Sequence, residues 1–431
     1  MRTFIIIWLG QAVSLIGSGM TGFAFTIWVW ELTDQATALA LFGFFRQVPQ
    51  ILITPIAGMI VDRWNRKYLM MVSDTVVGLL TITVLLLYVT DNLQLWHLYL
   101  AVAVGGIFDQ IQELAYLTSV SMMVPKQQYS RASSIAFFVE SSSAIIAPAL
   151  AGALYVVIGL VGILIIDITT FVIAISTLLL IHIPQPTTTE AGTQSHANPK
   201  QELYFGWHYI TARPSLLAML VLGSLFWFTY TLGNSLLSPL ILARTGNDTR
   251  ILGTVASAAG LGGIIGALLL SSWDIKHRIH RVLLSLIGAG LSQTVFGLGI
   301  MPLIWIPAKF CSSVNIPIFG SANDVIWFSK VKPEVQGRVF AIRSLVVLVA
   351  SVVATLIAGP LADYVFEPAM KADGSLAPML GWIFGIGKGA GMAVLYVISS
   401  LGMLLVGLGG YAFGVLRDLE IILPDYDANA E

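Results

Sequence analysis

GMIVDRWNRK, residues 58–67, places Asp62, Arg63, Arg66 and Lys67 within ten residues. On either side lie the apolar runs ILITPIAG (51–58) and YLMMVSDTVVGLLTITVLLL (68–87). Charge concentrated between two such runs is the pattern of a short loop held at the water surface between two membrane-crossing helices.

The composition carries this reading outward to the whole chain. Of 431 residues, 57% are hydrophobic and 10% charged, against about 25% charged in an ordinary soluble domain. The mean hydropathy is +0.85. A soluble protein of this size needs far more polar surface, so the class is a polytopic membrane protein. A span takes roughly 20 apolar residues. Twelve runs are predicted, over about 4–31, 37–61, 69–90, 96–120, 132–157, 159–183, 215–241, 251–272, 282–300, 303–328, 338–365 and 384–416. Lipid offers no partner to backbone N–H and C=O groups, which makes helices the default. The strict alternation of a membrane β-barrel is missing. The fifth and sixth spans share a short turn at Gly159.

Net charge is −1, which gives no reason to expect nucleic acid as a partner, but the placement of charge is informative. With the N-terminus inside, the inner segments hold fifteen Lys and Arg, the outer segments four and the spans three, making up the 22. Cytoplasmic loops carry the basic excess, so both termini are expected in the cytoplasm. The first apolar run is too long for a signal peptide and lacks a small-residue cleavage site. The single cysteine, Cys311, allows no internal disulfide.

The longest polar stretch, PQPTTTEAGTQSHANPKQE (184–202), divides the chain into halves of equal span count. The expected organisation is a bundle over 1–183, a cytoplasmic linker over 184–206, a second bundle over 207–416 and an acidic cytoplasmic tail over 417–431. The halves read as repeats. VPKQQYSRASS (124–134) precedes the fifth span and VKPEVQGRVFA (331–341) the eleventh, each ending on a helix-starting arginine, Arg131 and Arg338. GALLLSSWDIKHRIHRVLL (266–284) echoes the opening stretch, with Asp274 in the place of Asp62. Parallel six-helix repeats are the plan of one transporter class. The fold expected is an all-α membrane protein with twelve transmembrane helices in two pseudo-symmetric six-helix bundles.

GMIVDRWNRK resembles the Gly-x-x-x-Asp-Arg-x-x-Arg-Lys loop of the major facilitator superfamily. WLGQAVSLIGS (8–18) and IAPALAGAL (146–154) are similar to its macrolide-efflux and siderophore-exporter branch. The resemblance implies that Asp62 sits by the start of the eleventh helix and pairs with an arginine there, Arg338 or Arg343. A helix N-terminus favours an anion nearby. In that arrangement the loop is an inner gate, with Asp274 and Arg131 as the pseudo-equivalent pair. Gly58 is expected to let two helices approach, and Arg63, Arg66 and Lys67 to hold the loop at the surface and meet anionic lipid.

Ionisable residues inside spans mark pathways or proton relays. Asp109 and Glu113 are four apart and share one face of the fourth span. Two carboxylates crowded together in low dielectric suit one of them to carrying a proton. Arg46 is the cation expected to balance them, and Glu140 is a further acid candidate. Relatives commonly carry an arginine early in the fourth span, where this chain has Gly105. Glu140 precedes SSSAIIAPALAG (141–152), which resembles an antiporter signature of small residues before a Pro step. Ala147, Pro148 and Gly152 are the expected hinge. Gln11, Ser14, Ser18, Asn234 and Asn315 are candidates for a central cavity, and Asp167 for helix packing. Lys309, Asn315, Asn323 and Asp324 make the tenth span the most polar of the second half.

GIGKGAGM (385–392) lacks the first glycine and the Ser or Thr of a phosphate loop, so an ion gradient is the expected energy source. His277 and His280 lack a ligand partner, so no metal site is expected there. No cofactor is implied, and no nucleophile elbow or protease motif points to an enzyme. The expectation is a monomeric carrier in a bacterial inner membrane. It exports a small hydrophobic or amphipathic compound against protons by alternating access. A lipid flippase, a siderophore exporter and a non-transporting scaffold or sensor are the alternatives.

Overall fold

The computed structural model describes residues 2–123, 129–180, 199–272, 278–332 and 335–422. Among them every long element is helical. The chain divides into two compact units, Met1–Gly192 with Thr245–Ser257, and Thr193–Arg244 with Ala258–Glu431.

The first unit holds α1 (Arg2–Thr33), α2 (Ala36–Arg63), α3 (Arg66–Val89), α4 (Leu95–Met123) and α5 (Tyr129–Leu180). It also takes the first part of α8 (Thr249–Ser272). The 52 residues of α5 are not one rod, because Gly159 adopts φ 62 and ψ −169 in their midst. That backbone conformation is open to glycine and strained for other residues. The packing of α1 shows the consequence. Gly10 and Gly17 press on Thr177 and Thr170, so α1 runs antiparallel to the second limb. The backbone of Leu15 accepts from Ser143 and Gly19 presses on Ala147, so α1 runs parallel to the first limb. The two limbs of α5 therefore fold back on each other with α1 against both. Together with α2, α3 and α4 they give six long rods, the number expected from the first half.

The opening stretch forms the turn between α2 and α3. Asn65 caps α3, accepting from the backbone N–H of Lys67 at 3.0 Å and of Tyr68 at 3.3 Å. Such a side-chain acceptor satisfies donors that a helix start leaves open. Arg66 donates to the carbonyl of Thr118 at 2.9 Å and Lys67 to that of Leu179 at 3.2 Å. The basic residues thus meet carbonyls near the C-terminal ends of α4 and α5, where the helix dipole favours a cation.

The second unit holds α6 (Pro199–Thr211), α7 (Pro214–Thr245), the rest of α8, α9 (Arg278–Leu298), α10 (Pro302–Lys330) and α11 (Gln336–Pro360). A π-helical turn (Leu361–Phe366) and the single turn α12 (Glu367–Ala369) follow, then α13 (Ala377–Phe384) and α14 (Ala390–Ala412). Gly290, Gly297, Gly407 and Gly410 bring α9 and α14 into close antiparallel contact. Gly262 and Gly266 bring α8 into close parallel contact with α10, against the carbonyls of Phe310 and Val314. Small residues are the means by which helices pack closely where lipid removes the hydrophobic drive.

Two boundaries differ from the sequence reading. Residues 199–206, expected in the linker, begin α6, whose Gly206 lies against the carbonyl of Arg338 on α11. The last span begins at Ala390 rather than near 384, because Gly385, Gly387 and Gly389 all take positive φ and end α13 in a loop. Glu367 accepts from the backbone N–H groups of Gly389 and Met392 at 3.2 and 2.9 Å. A protein carboxylate thus occupies the helix start that the glycine pattern offered to phosphate. Ten stretches of the described residues are long and apolar enough to cross a membrane. One of them, Ser141–Leu180, contains both limbs of α5. The 29-residue α4, with Asp109, Gln112 and Glu113 in its middle, is not among the ten.

Candidate functional site

Within the first unit, α2 and α4 touch most closely where Gly106 meets the backbone carbonyl of Arg46. A side chain at Gly106 would push the helices apart. The contact sets Arg46 of α2 and Asp109 of α4 on one cavity of about 90 Å³. Ser18 and Thr21 of α1, Thr81 of α3 and Asp167 of α5 complete its polar wall, and Phe25 and Phe42 stand on the apolar side with their rings edge to face at 6.5 Å. Asp167 is 4% exposed. Its two oxygens accept separately from Ser18 at 3.1 Å and Thr81 at 3.2 Å, as a carboxylate removed from water requires. Asp109 feels the charges of Arg46, Asp167 and Glu113.

The cavity brings together Arg46, Asp109 and Ser18 as the sequence suggested. Asp167, expected to fix packing, both ties α5 to α1 and α3 and faces the cavity. Glu113 follows one turn along α4, exposed. Ser14 is half-buried on α1 and outside the cavity wall. The side chains of Asp62, Arg63, Arg131, Glu140 and Asp274 lie outside the described residues.

Gln11 sits elsewhere, in a chain the sequence reading missed. Its Nε2 donates to Asp74 Oδ2 at 3.0 Å, and its Oε1 accepts from Gln112 Nε2 at 2.8 Å. Asp74 was legible as an acid in the middle of the apolar run 68–87. Gln112 was legible as the residue between Asp109 and Glu113.

The hinge residues lie where α5 crosses the first part of α8. The carbonyl of Gly152 accepts from Thr249 at 2.8 Å, and a Cβ on Gly152 would fall 2.5 Å from the carbonyl of Thr249. Gly253 meets the carbonyl of Pro148 in the same way. Among the described residues a Cβ on Gly58 meets nothing within 4 Å.

In the second unit Lys309 is 4% exposed. It donates to Asn234 Oδ1 at 3.1 Å, with the Tyr230 ring 5.9 Å away. Asn315, expected at a cavity, donates to the carbonyl of Cys311 on its own helix at 2.8 Å and packs on Gly288. Arg343 forms an ion pair with Asp324 and lies over the Trp327 ring at 5.4 Å. Arg338 lies over Phe205 of α6 at 5.1 Å. A cavity of about 210 Å³ beside the Asp324–Arg343 pair is walled by Trp227, Trp327 and Asn323. Among the described residues no cluster of three or more metal-ligating side chains is found.

The model of the Major Facilitator Superfamily matches residues 7–355. The chain belongs to the major facilitator superfamily. It is thus a transporter rather than an enzyme, and a multi-pass membrane protein. Macrolide efflux protein A of Streptococcus pyogenes is 27% identical over 368 residues, covering 84% of this chain and 89% of its own. The Enterococcus faecalis protein of the same name is 27% identical over 323 residues, covering 73% and 96%. An enterobactin exporter of Escherichia coli O1:K1 / APEC is 24% identical over 339 residues, covering 77% and 76%. Among solved structures, a bacterial homologue of the iron transporter ferroportin, inward-facing, superposes with a TM-score of 0.68 at 13% identity, covering 94% and 97%. This superfamily fold accounts for the two helical units and for the polar residues gathered inside them.

Proposed function

We propose that this superfamily member exports a small hydrophobic or amphipathic compound in exchange for protons. Twelve helices alternate access to a central site. The chain works as a monomer in a bacterial inner membrane with both termini in the cytoplasm, and neither nucleic acid nor a cofactor takes part. The observation that carries the reading is the cavity of the first unit, where Arg46, Asp109 and Asp167 put opposite charges inside a membrane-crossing bundle. Intramembrane charge of this kind is costly and is kept for pathways and relays. The efflux names of the relatives support the direction. The relatives named for enterobactin export favour a second cargo class, of the siderophore kind.

In this reading Glu113 and Glu140 are further acids of the pathway. Asp62, Arg63, Asp274 and Arg131 belong to an inner gate, and Arg66 and Lys67 fix its loop. The test is ethidium flux in proteoliposomes under an imposed pH gradient. Accumulation that reverses when the gradient is reversed supports antiport. Movement of labelled lipid without competition by ethidium would indicate a flippase, and no flux of either would leave a scaffold. For the gate, an Asp62→Asn variant should change the labelling of engineered cytoplasmic cysteines; unchanged labelling would refute it.

A further inference from the structure

Three aspartates with described side chains lie inside the helices of the first unit, and their partners differ in kind. Asp167 has a hydroxyl on each oxygen. Asp109 shares its cavity with Arg46, a cation that balances its charge. Asp74 has neither arrangement. Among the described residues its hydrogen-bond partner is the neutral amide of Gln11, and no Lys, Arg or His forms an ion pair with it.

The helix geometry puts Asp74 beside Asp109. The bond from Arg66 to Thr118 aligns the start of α3 with the end of α4. Asp74 is eight residues along α3 from Arg66 (74 − 66), about 12 Å at 1.5 Å per residue. Asp109 is nine residues back along α4 from Thr118 (118 − 109), about 14 Å. The two carboxylates stand at the same level, and Asp74 feels the charge of Asp109. The ionisable groups facing this region are Asp109 and Glu113 from α4, Asp167 from α5 and Arg46 from α2, while α1 contributes the neutral Gln11. Asp74 is half-buried on α3.

We propose that Asp74 is the carboxyl that takes up and releases the exchanged proton, and that Gln11 and Gln112 transmit its state to α1 and α4. This rests on the antiport reading above. When Asp74 is ionised, Gln11 turns its NH₂ toward it and its carbonyl toward Gln112, as observed. Uptake of one proton from water forms one O–H bond on Asp74 and converts that oxygen from acceptor to donor. With that proton on Oδ2, the oxygen Gln11 faces, Gln11 presents its carbonyl to Asp74 and its NH₂ to Gln112, whose amide turns in answer. One protonation reverses a hydrogen-bonded chain that joins α3, α1 and α4, with no other bond made or broken.

Infrared titration of the protein in lipid vesicles tests this. The wild type should show a carboxylic C=O band that appears and disappears with pH. Asp74→Asn should remove it, while Asp109→Asn, or Asp109→Asn with Arg46→Gln should the single variant fold poorly, should keep it. Survival of the band in Asp74→Asn, or its loss only with Asp109, overturns the proposal. Gln11→Leu leaves Asp74 in place and should move the band's midpoint by about one pH unit, the worth of one hydrogen bond to a charged acceptor. An unmoved midpoint removes Gln11 from the relay. A band that behaves as expected in a protein whose ethidium flux ignores the pH gradient keeps Asp74 as the titrating carboxyl and refutes the antiport reading.

Discussion

The two units each gather ionisable groups along their helices, in different company. The first gathers Asp109 and Asp167 around a small cavity with Arg46, and holds Asp74 outside it on Gln11. The second encloses Lys309 against Asn234 and Tyr230 and closes Asp324 on Arg343. Asp74 is half-buried and feels the charge of a second carboxylate, Asp109. Lys309 is 4% exposed and lines neither cavity, so it is placed to fix packing. In the proposed antiport the first half carries the exchanged proton, while Lys309 of the second is held against Asn234 and Tyr230.

The largest expected effect would break this contrast at its centre. Asp74→Asn should lower pH-driven flux by about 100-fold, the scale of a lost proton-transfer group, with the thermal unfolding midpoint little changed. Next comes the helix crossing. Gly152→Val drives a side chain into the carbonyl of Thr249 and should destabilise the protein by about 3 kcal/mol, the upper range for overpacking, as read by thermal unfolding in detergent. Wild-type stability would mean that α5 and α8 separate at no cost. Lys309→Met sharpens the contrast from the other side. Replacing an enclosed charge by an apolar side chain of similar length is neutral or stabilising by about 1 kcal/mol, and flux should persist. Loss of pH-driven flux in this variant would place the proton in the second unit. The smallest effect belongs to Gly58→Ala, which enters open space and should stay within about 0.5 kcal/mol.

Much of this was legible in the chain because membrane folding is governed by length and polarity. Apolar runs announce themselves, and Gly159 marked the fold-back between the limbs of α5. Asp109 and Arg46 stood out as charges within apolar runs. Asp74 stood in such a run too, but periodicity does not say which neighbouring helix will offer it an amide. Its meaning came from Gln11, 63 residues away. The letters of GMIVDRWNRK did not show how its turn is held, which is by Asn65, Arg66 and Lys67 through backbone groups of α3, α4 and α5. Backbone carbonyls have no residue letter, so partners of that kind cannot be read in advance. The final boundary at Ala390 likewise depends on three glycine φ angles rather than on hydropathy.

The decisive measurement is ethidium accumulation by proteoliposomes under one imposed pH gradient, with wild type, Asp74→Asn and Lys309→Met side by side. Accumulation by the wild type and the lysine variant, with none by the aspartate variant, is the expected result. Accumulation that survives loss of the aspartate and vanishes with the lysine would contradict the division of labour between the halves.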